Sequence, residues 1–134
     1  MNLFVDTSIW SLALRRDIAP KIPALAFLRR ALEGDAAVFT TGIVLQELLQ
    51  GVRGPKGRDA IVARFGTLPF VVPDRQDHVD AAALHTECRR KGLQVGTIDV
   101  LLAQLCLRHH LTMLTADTDF TRIGEVAKLA IWPG

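Results

Sequence analysis

The sequence Leu3-Phe4-Val5-Asp6-Thr7-Ser8, near the start of the chain, combines an apolar run with a polar one. Its apolar residues predict a short buried strand, and the polar residues that follow are good helix-capping residues. A helix is therefore predicted from about Ile9 to Arg16. A strand that passes directly into a helix is typical of an alternating α/β arrangement.

This alternation of strands and helices continues along the chain. Further strands are predicted over residues 37–40, 70–72, 112–115 and 129–131. Helices are predicted over residues 22–34, 43–50, 75–91 and 98–109, with shorter ones ending near residue 65 and before the last strand. Gly92 stands just past a helix end, where glycine is favoured. The pattern indicates a three-layer α/β/α sandwich with a central parallel β-sheet.

Length and composition narrow the class of protein. A chain of 134 residues indicates a single domain over residues 1–134. Hydrophobic residues make up 49% and charged residues 22%, which excludes a disordered or coiled-coil protein. The net charge of +2 does not by itself require a nucleic-acid or membrane partner. We expect a cytoplasmic protein with reduced thiols, because there is no membrane-length apolar run, no basic leader and no paired motif at Cys88 or Cys106.

Acidic residues occur where ligands bind in such folds. Asp6 ends the first strand, and Asp117 and Asp119 follow the fourth, so all three are expected at the carboxyl edge of the sheet. Glu47 and Asp99 lie in apolar helical segments. Each acid also has an ordinary structural explanation. Asp6 can cap a helix, Asp99 can interact with a helix dipole, Glu47 can be solvated and Asp117 can form an Asx turn.

Four sequence blocks contain these acids. They are Val5-Asp6-Thr7-Ser8, Leu45-Gln46-Glu47-Leu48-Leu49-Gln50-Gly51, Thr97-Ile98-Asp99-Val100-Leu101-Leu102-Ala103 and Leu114-Thr115-Ala116-Asp117-Thr118-Asp119-Phe120. In this order and spacing the chain resembles the PIN-domain nucleases, most closely the VapC-type toxin ribonucleases of toxin–antitoxin systems. The resemblance implies a parallel sheet, a homodimer and a cognate antitoxin protein as partner. It also implies a catalytic, metal-binding quartet of Asp6, Glu47, Asp99 and Asp117, with Asp119 as a fifth metal ligand.

The chemistry of carboxylates fits this resemblance. Mg²⁺ and Mn²⁺ prefer oxygen ligands, and crowded carboxylates repel one another unless a cation lies between them. A bound cation lowers the pKa of its water and stabilises the charge that develops on an attacked phosphate. Zinc is not expected, because His109 and His110 are adjacent and His78 and His85 are seven residues apart. We therefore expect a Mg²⁺-dependent (or Mn²⁺-dependent) endoribonuclease acting on RNA.

Positive charge near the acids is expected to bind the RNA backbone. The candidates for substrate binding are Arg53, Lys56, Arg58, Arg89 and Arg90, together with Lys91, Arg15 and Arg16. Each is equally explained as part of an ordinary solvated face. Trp10 and Trp132 can stack on bases or pack in the core, and the histidines are expected to be surface or packing residues.

Two other functions remain open from the sequence. A non-catalytic PIN-fold module that binds RNA or a protein has no need of the complete acidic quartet. An aspartyl-phosphate phosphatase with Asp6 as nucleophile needs a second aspartate two residues later, where Ser8 stands. For the antitoxin, we expect a groove between the apolar helices predicted over residues 9–16, 22–34 and 43–50.

Overall fold

The computed structural model describes residues 1–15 and 22–133 of the chain. The strands in this part are β1 (Asn2–Val5), β2 (Ala37–Thr41), β3 (Phe70–Val71) and β4 (Thr112–Leu114). The helices are α1 (Thr7–Ala13), α2 (Pro23–Glu33), α3 (Gly42–Gly51), α4 (Pro55–Phe65), α5 (Arg75–Arg90), α6 (Thr97–His109) and α7 (Thr118–Ala127). Arg16, the predicted end of the first helix, lies outside the described residues.

All four strands pair in parallel, in the order β3-β2-β1-β4. The chain moves from β1 to β2 and β3 on one side, then crosses to β4 on the other side of β1. Right-handed connections in opposite directions place their helices on opposite faces of the sheet. Accordingly, α1 to α4 pack on one another, and α5 to α7 form a second group. The predicted three-layer α/β/α sandwich with a central parallel sheet is confirmed.

The central strand β1 forms the middle of the core. Leu3, Phe4 and Val5 are completely buried because helices cover both faces of the strand. The order of strands reverses between β1 and β4, and in open parallel sheets this reversal leaves a crevice at the carboxyl edge. The residues that immediately follow β1 and β4 therefore lie beside that crevice.

The last predicted strand, over residues 129–131, is the main error in the predicted elements. Only an isolated parallel bridge, Met113 to Ile131, forms there among the described residues. The Met113 amide donates to the Ala130 carbonyl oxygen, and the Trp132 amide donates to that of Met113. Helix α7 continues to Ala127 and Lys128 caps it with a left-handed φ of 56°, so only a short extended segment follows to pair with β4. Helix α1 also ends earlier than predicted, at Ala13, whereas most other boundaries agree within one or two residues.

An ion pair between a buried aspartate and a partly exposed arginine joins the start of α5 to the end of α6. The Asp77 side chain is fully buried, and the Arg108 guanidinium donates to both its oxygens, Nε to Oδ1 at 2.7 Å and Nη2 to Oδ2 at 2.6 Å. Asp74 and Asp77 also form a reciprocal capping box at the start of α5. We call Asp77 and Arg108 the arginine-paired site.

Two smaller predictions concern the end of α5 and the cysteines. Gly92 has φ +81°, a left-handed conformation that favours glycine, and its amide donates to the Arg89 carbonyl oxygen, as its predicted position requires. Cys88 and Cys106 are both buried free thiols. Within the described part of the chain, none of the helices has the length and apolar character needed to span a membrane.

Candidate active site

Asp6 lies at the carboxyl end of β1 and is only 4% exposed. Its Oδ1 accepts hydrogen bonds from the Ser8 hydroxyl at 2.6 Å and from the Ile9 amide at 3.3 Å. Its Oδ2 accepts one from the Thr115 hydroxyl at 2.5 Å. Asp6 is thus the N-cap of α1, as its structural explanation required, and it also faces the residues that follow β4.

Glu47 reaches the same edge from α3. This half-buried side chain accepts a hydrogen bond at its Oε1 from the Thr7 hydroxyl, at 2.8 Å. Because Thr7 follows Asp6 directly, the bond places Glu47 beside the first strand end. The alternative of a fully solvated glutamate does not describe this residue.

Three further acids meet across the ends of α6 and α7. One carboxylate oxygen from each of Asp99, Asp117 and Asp119 lies within 4.8 Å of the others. Asp99 is in the first turn of α6. Asp117 caps α7, its Oδ1 accepting from the Asp119 amide at 2.9 Å, which is the Asx-type bond expected for this position. We call Asp6, Glu47, Asp99, Asp117 and Asp119 the acidic edge.

The pKa of Asp99 reflects the negative charges of the other four acids. Its pKa is raised from 3.8 to about 6, first by burial and then by the negative charges of Asp117, Asp119, Asp6 and Glu47. Burial likewise raises the pKa of Asp6, partly offset by its hydrogen bonds from Ser8, Thr115 and Ile9, while the charge of Asp117 raises it further. Both aspartates therefore hold their protons more tightly than an exposed aspartate does.

The chemistry of this donor set fits a hard divalent cation. Its side chains offer only carboxylate oxygens, the ligands that Mg²⁺ and Mn²⁺ prefer, and neither histidine nor cysteine belongs to the clustered group. A divalent cation among these side chains offsets the mutual repulsion that raises the pKa of Asp99. The arrangement is thus suited to binding a cation beside a phosphate group.

The basic residues predicted to bind RNA are exposed but less clearly placed. Arg53, Lys56, Arg58, Arg89 and Arg90 all have solvent-exposed side chains. Arg58 pairs with Asp59 at 3.9 Å, and Arg90 pairs with Glu87 at 3.4 Å. Their role in substrate binding stays a prediction. Arg15 lines the groove described below, and Arg16 lies outside the described residues.

Sequence reasoning missed a basic residue that does contact the acidic edge. Arg122 Nη1 lies 3.7 Å from Asp119 Oδ1, and its side chain is 58% exposed. The signal in the sequence was the spacing of three residues along α7, which places the two side chains on one face of the helix. Exposed pairs of this kind are weak, so Arg122 is free to turn towards another anion.

Both tryptophans pack against other aromatic rings. Trp10 is 2% exposed, with its ring centroid 5.0 Å from that of Phe65, so it belongs to the core. Trp132 stacks on Phe27 at 4.6 Å.

His78 and His85 line a pocket of about 430 Å³ between α5 and α6.

A groove of about 470 Å³ lies between α1 and α2. Leu12, Leu25, Leu28 and Leu32 supply much of its apolar lining. Its polar lining residues are Arg15, Arg29, Glu33 and Arg64. The predicted groove between the first two helices is therefore present. The third wall was predicted from residues 43–50, but among the described residues it comes from Arg64 of α4, because α3 packs on α1 and α4 instead.

The chain is similar in sequence to PIN-domain proteins and to VapC ribonucleases. The sequence profile of the PIN domain matches residues 3–126. The chain is 32% identical over 117 residues to ribonuclease VapC23 of Mycobacterium tuberculosis, covering 84% of this chain and 89% of that protein. It is 29% identical over 130 residues to the VapC ribonuclease Mb1587 of Mycobacterium bovis, covering 95% of each.

Solved structures share the fold. A chain in the DNA-bound VapBC2 structure from Rickettsia felis superimposes with a TM-score of 0.78 at 20% identity, covering 98% of each chain. The sarcin-ricin loop cleaving toxin VapC20 of Mycobacterium tuberculosis superimposes with a TM-score of 0.71 at 19% identity, covering 91% of this chain and 95% of that one. At these identities the likeness concerns the fold.

Proposed function

The chain belongs to the PIN-domain family and, within it, to the VapC ribonucleases, and from this premise we propose that it is a divalent-metal-dependent endoribonuclease. We further propose that it acts as the toxin of a type II toxin–antitoxin pair. The names of its relatives support this activity, as does the sarcin-ricin loop cleavage by VapC20. The observation that carries the proposal is the convergence of five acids around Asp99.

The catalytic residues we propose are Asp6, Glu47, Asp99 and Asp117, with Asp119 as an additional metal ligand. Asp99, Asp117 and Asp119 each place one carboxylate oxygen within 4.8 Å of the others. The negative charges of Asp6 and Glu47 also act on Asp99. Mg²⁺ or Mn²⁺ bound there supplies an activated water and stabilises negative charge on the phosphate. Because the acids repel RNA when no cation is present, we expect substrate binding as well as cleavage to depend on the cation.

The acids need basic residues around them to bind an RNA backbone. We propose that Arg53, Lys56, Arg58, Arg89 and Arg90 contribute to this attraction, since all are exposed and phosphates bind exposed lysines and arginines. Arg122 joins them, because its contact with Asp119 places a positive charge at the rim of the acidic edge.

The groove between α1 and α2 is the surface we propose for the antitoxin. Its leucines suit the apolar face of an amphipathic segment, and Arg29 and Arg64 at its margin suit acidic residues on that segment. Relatives in VapBC complexes support such a partner. Leu14→Glu places a charge in the groove lining at a side chain that is 44% exposed, and loss of antitoxin co-purification with retained RNA cleavage is the expected result.

We also propose a domain organisation, a cellular location and an oligomeric state for the protein. Residues 1–134 form a single PIN domain, supported by one continuous core cluster that runs from Leu3 to Leu129. The protein acts in the cytoplasm, where its RNA substrate is found. It forms a homodimer, for which the pocket between α5 and α6 and the exposed Ile98 beside it offer an apolar surface. Analytical ultracentrifugation of the protein without antitoxin tests the dimer.

The activity is tested with purified protein and total RNA. We expect discrete cleavage products in Mg²⁺ or Mn²⁺ and intact RNA in EDTA. Growth arrest on expression, relieved by co-expression of the small gene product encoded beside it, tests the toxin role. Binding of RNA with no cleavage in either cation contradicts the proposal and favours the non-catalytic binding module instead.

A further inference from the structure

Two hydroxyl groups connect the end of β1 to the loop that follows β4. The Thr115 hydroxyl donates to Asp6 Oδ2 at 2.5 Å and accepts from the Asp117 amide at 2.9 Å. The Ser8 hydroxyl donates to Asp6 Oδ1 at 2.6 Å and accepts from the Ala116 amide at 3.0 Å. Each hydroxyl therefore bonds one oxygen of the Asp6 carboxylate and one backbone amide. The amide is that of Ala116 for Ser8 and that of Asp117 for Thr115.

The hydrogen bonds leave Asp6 little capacity for another partner. A carboxylate oxygen has two lone-pair sites. Both sites of Oδ1 are used, by the Ser8 hydroxyl and by the Ile9 amide. On Oδ2 the Thr115 hydroxyl uses one site, and one remains. The oxygen with the remaining site is the one whose hydroxyl partner, Thr115, also accepts from the Asp117 amide.

We propose that Thr115 and Ser8 are positioning residues of the cation site, which fix Asp6 so that it binds a divalent cation through Oδ2 alone. The inference rests on the proposed function, since it takes the acidic edge to bind such a cation. The same hydroxyls also fix the position of Asp117, because they accept hydrogen bonds from the backbone amides of Ala116 and Asp117. Partners of this kind orient metal ligands and raise affinity without contacting the ion.

The central test compares Thr115→Val with Thr115→Ser. Valine has nearly the shape of threonine but cannot donate to Asp6 or accept from Asp117, whereas serine keeps the hydroxyl. Mn²⁺ affinity is measured on the metal-free protein by calorimetry and by electron paramagnetic resonance of free Mn²⁺. We expect Thr115→Val to bind Mn²⁺ about 10–100-fold more weakly, the usual effect of losing such a partner. Thr115→Ser retains the affinity of the unmodified protein.

A second pair of variants separates positioning from general stability. Ser8→Ala removes the hydrogen bond to Oδ1 and leaves Thr115 in place, so it also weakens Mn²⁺ binding. Thr41→Val is the matched control, because the Thr41 hydroxyl is buried and donates to the Val71 carbonyl oxygen, at 2.6 Å, rather than to an acid. It is expected to lower the melting temperature without changing Mn²⁺ affinity.

The outcomes distinguish this inference from the proposed function. Unchanged Mn²⁺ affinity in folded Thr115→Val overturns the inference, and if that variant does not fold, unchanged affinity in Ser8→Ala does so. If the unmodified protein binds no Mn²⁺, the inference and the metal dependence fail together. If it binds Mn²⁺ but cuts no RNA while Thr115→Val weakens binding, the inference stands and the ribonuclease proposal fails.

Discussion

Asp6 and Asp77 are both nearly excluded from solvent, at 4% and 0% exposure, but their surroundings have opposite charge. Burial alone raises the pKa of Asp77, yet the hydrogen bonds and charge of Arg108 hold it below its ordinary value. Burial raises the pKa of Asp6, and its charged neighbour Asp117 raises it further. The arginine-paired site contains its own close counter-charge, whereas Asp6 has hydroxyl donors and other acids around it, and the exposed Arg122 contacts only Asp119 of the acidic edge at 3.7 Å.

The difference indicates what each buried carboxylate does. A buried charge that is paired and hydrogen-bonded within the protein is a structural element, and removing its partner is costly. A cluster of partly buried acids is typical of a functional site, because repulsion between like charges destabilises the fold and a bound cation offsets it. Asp77 therefore holds α5 and α6 together, and Asp99 and its neighbours are suited to an external cation.

The largest expected effect is on activity. Asp99→Asn removes a charged ligand from the acidic edge, so RNA cleavage in Mg²⁺ should fall by more than the roughly 100-fold that loss of an outer partner can cause. The initial rate of cleavage of a labelled RNA measures the loss. Asp59→Asn is the matched control, because the Asp59 side chain is 77% exposed and pairs only weakly with Arg58. Full activity in Asp99→Asn contradicts the assigned role.

The arginine-paired site should respond in stability and not in metal binding. Arg108→Leu leaves the buried Asp77 carboxylate without its cation, so the melting temperature should fall by several degrees. Mn²⁺ affinity should stay that of the unmodified protein, because Arg108 does not contact the acidic edge. Differential scanning fluorimetry and a Mn²⁺ titration measure the two quantities. If Arg108→Leu instead weakens Mn²⁺ binding and leaves the melting temperature unchanged, the arginine-paired site and the acidic edge do not differ in role.

Cations should stabilise the protein through the acidic edge. At a Mn²⁺ concentration about 100 times the dissociation constant, binding to the folded state adds about 2.7 kcal/mol to the free energy of unfolding. That corresponds to a rise of several degrees in the melting temperature. The rise should be absent in Asp99→Asn and present in Asp59→Asn. An equal rise in both variants locates the stabilising cation elsewhere.

In metal-free protein the contributions of Asp99 and Asp77 to stability should change with pH in opposite directions, and these changes should be the smallest of those predicted. Asp99 has a pKa of about 6 in the folded state against 3.8 ordinarily, so its contribution to stability is lost as the pH rises between these values. Asn at this position should therefore become increasingly stabilising over that range and level off above it. The measurement is the difference in melting temperature between Asp99→Asn and the unmodified protein.

Asp77 should show the opposite sign. Its pKa is lowered from 3.8, so the stability it supplies is present above that pH and lost as the pH falls below it. The cost of Asp77→Asn in melting temperature should thus shrink in acid. Pairs of melting curves in EDTA across the range provide the comparison. The same sign at both positions is inconsistent with a paired and an unpaired aspartate.

Much of the fold and the meeting of the acids could be predicted from local sequence. Apolar runs that end in capping residues locate the strand ends, and parallel strands bring those ends to one edge. Asp6 and Asp117 could therefore be expected together, although 111 positions separate them along the chain. The clustering of Asp99, Asp117 and Asp119 follows from the same rule.

Contacts that depend on side-chain direction could not be predicted in this way. The hydroxyl bonds of Thr115 and Ser8 join residues 109 and 108 positions apart, and a hydroxyl partner is set by rotamer and loop geometry. The wall of the groove came from α4 rather than from residues 43–50, because apolar periodicity shows that a helix is buried but not what it is packed against. The last predicted strand is reduced to one bridge because α7 continues to Ala127 and leaves only a short extended segment.

The most direct test of the central claim is the location of Mn²⁺ by anomalous diffraction from crystals of the protein soaked in that ion. We expect an anomalous peak at the acidic edge, about 2.1 Å from oxygens of Asp99, Asp117 or Asp119, and none at Asp77. Of the two Asp6 oxygens, Oδ2 should be the nearer to the ion. A peak at another place, or an acidic edge without one at saturating Mn²⁺, contradicts a cation site formed by these acids.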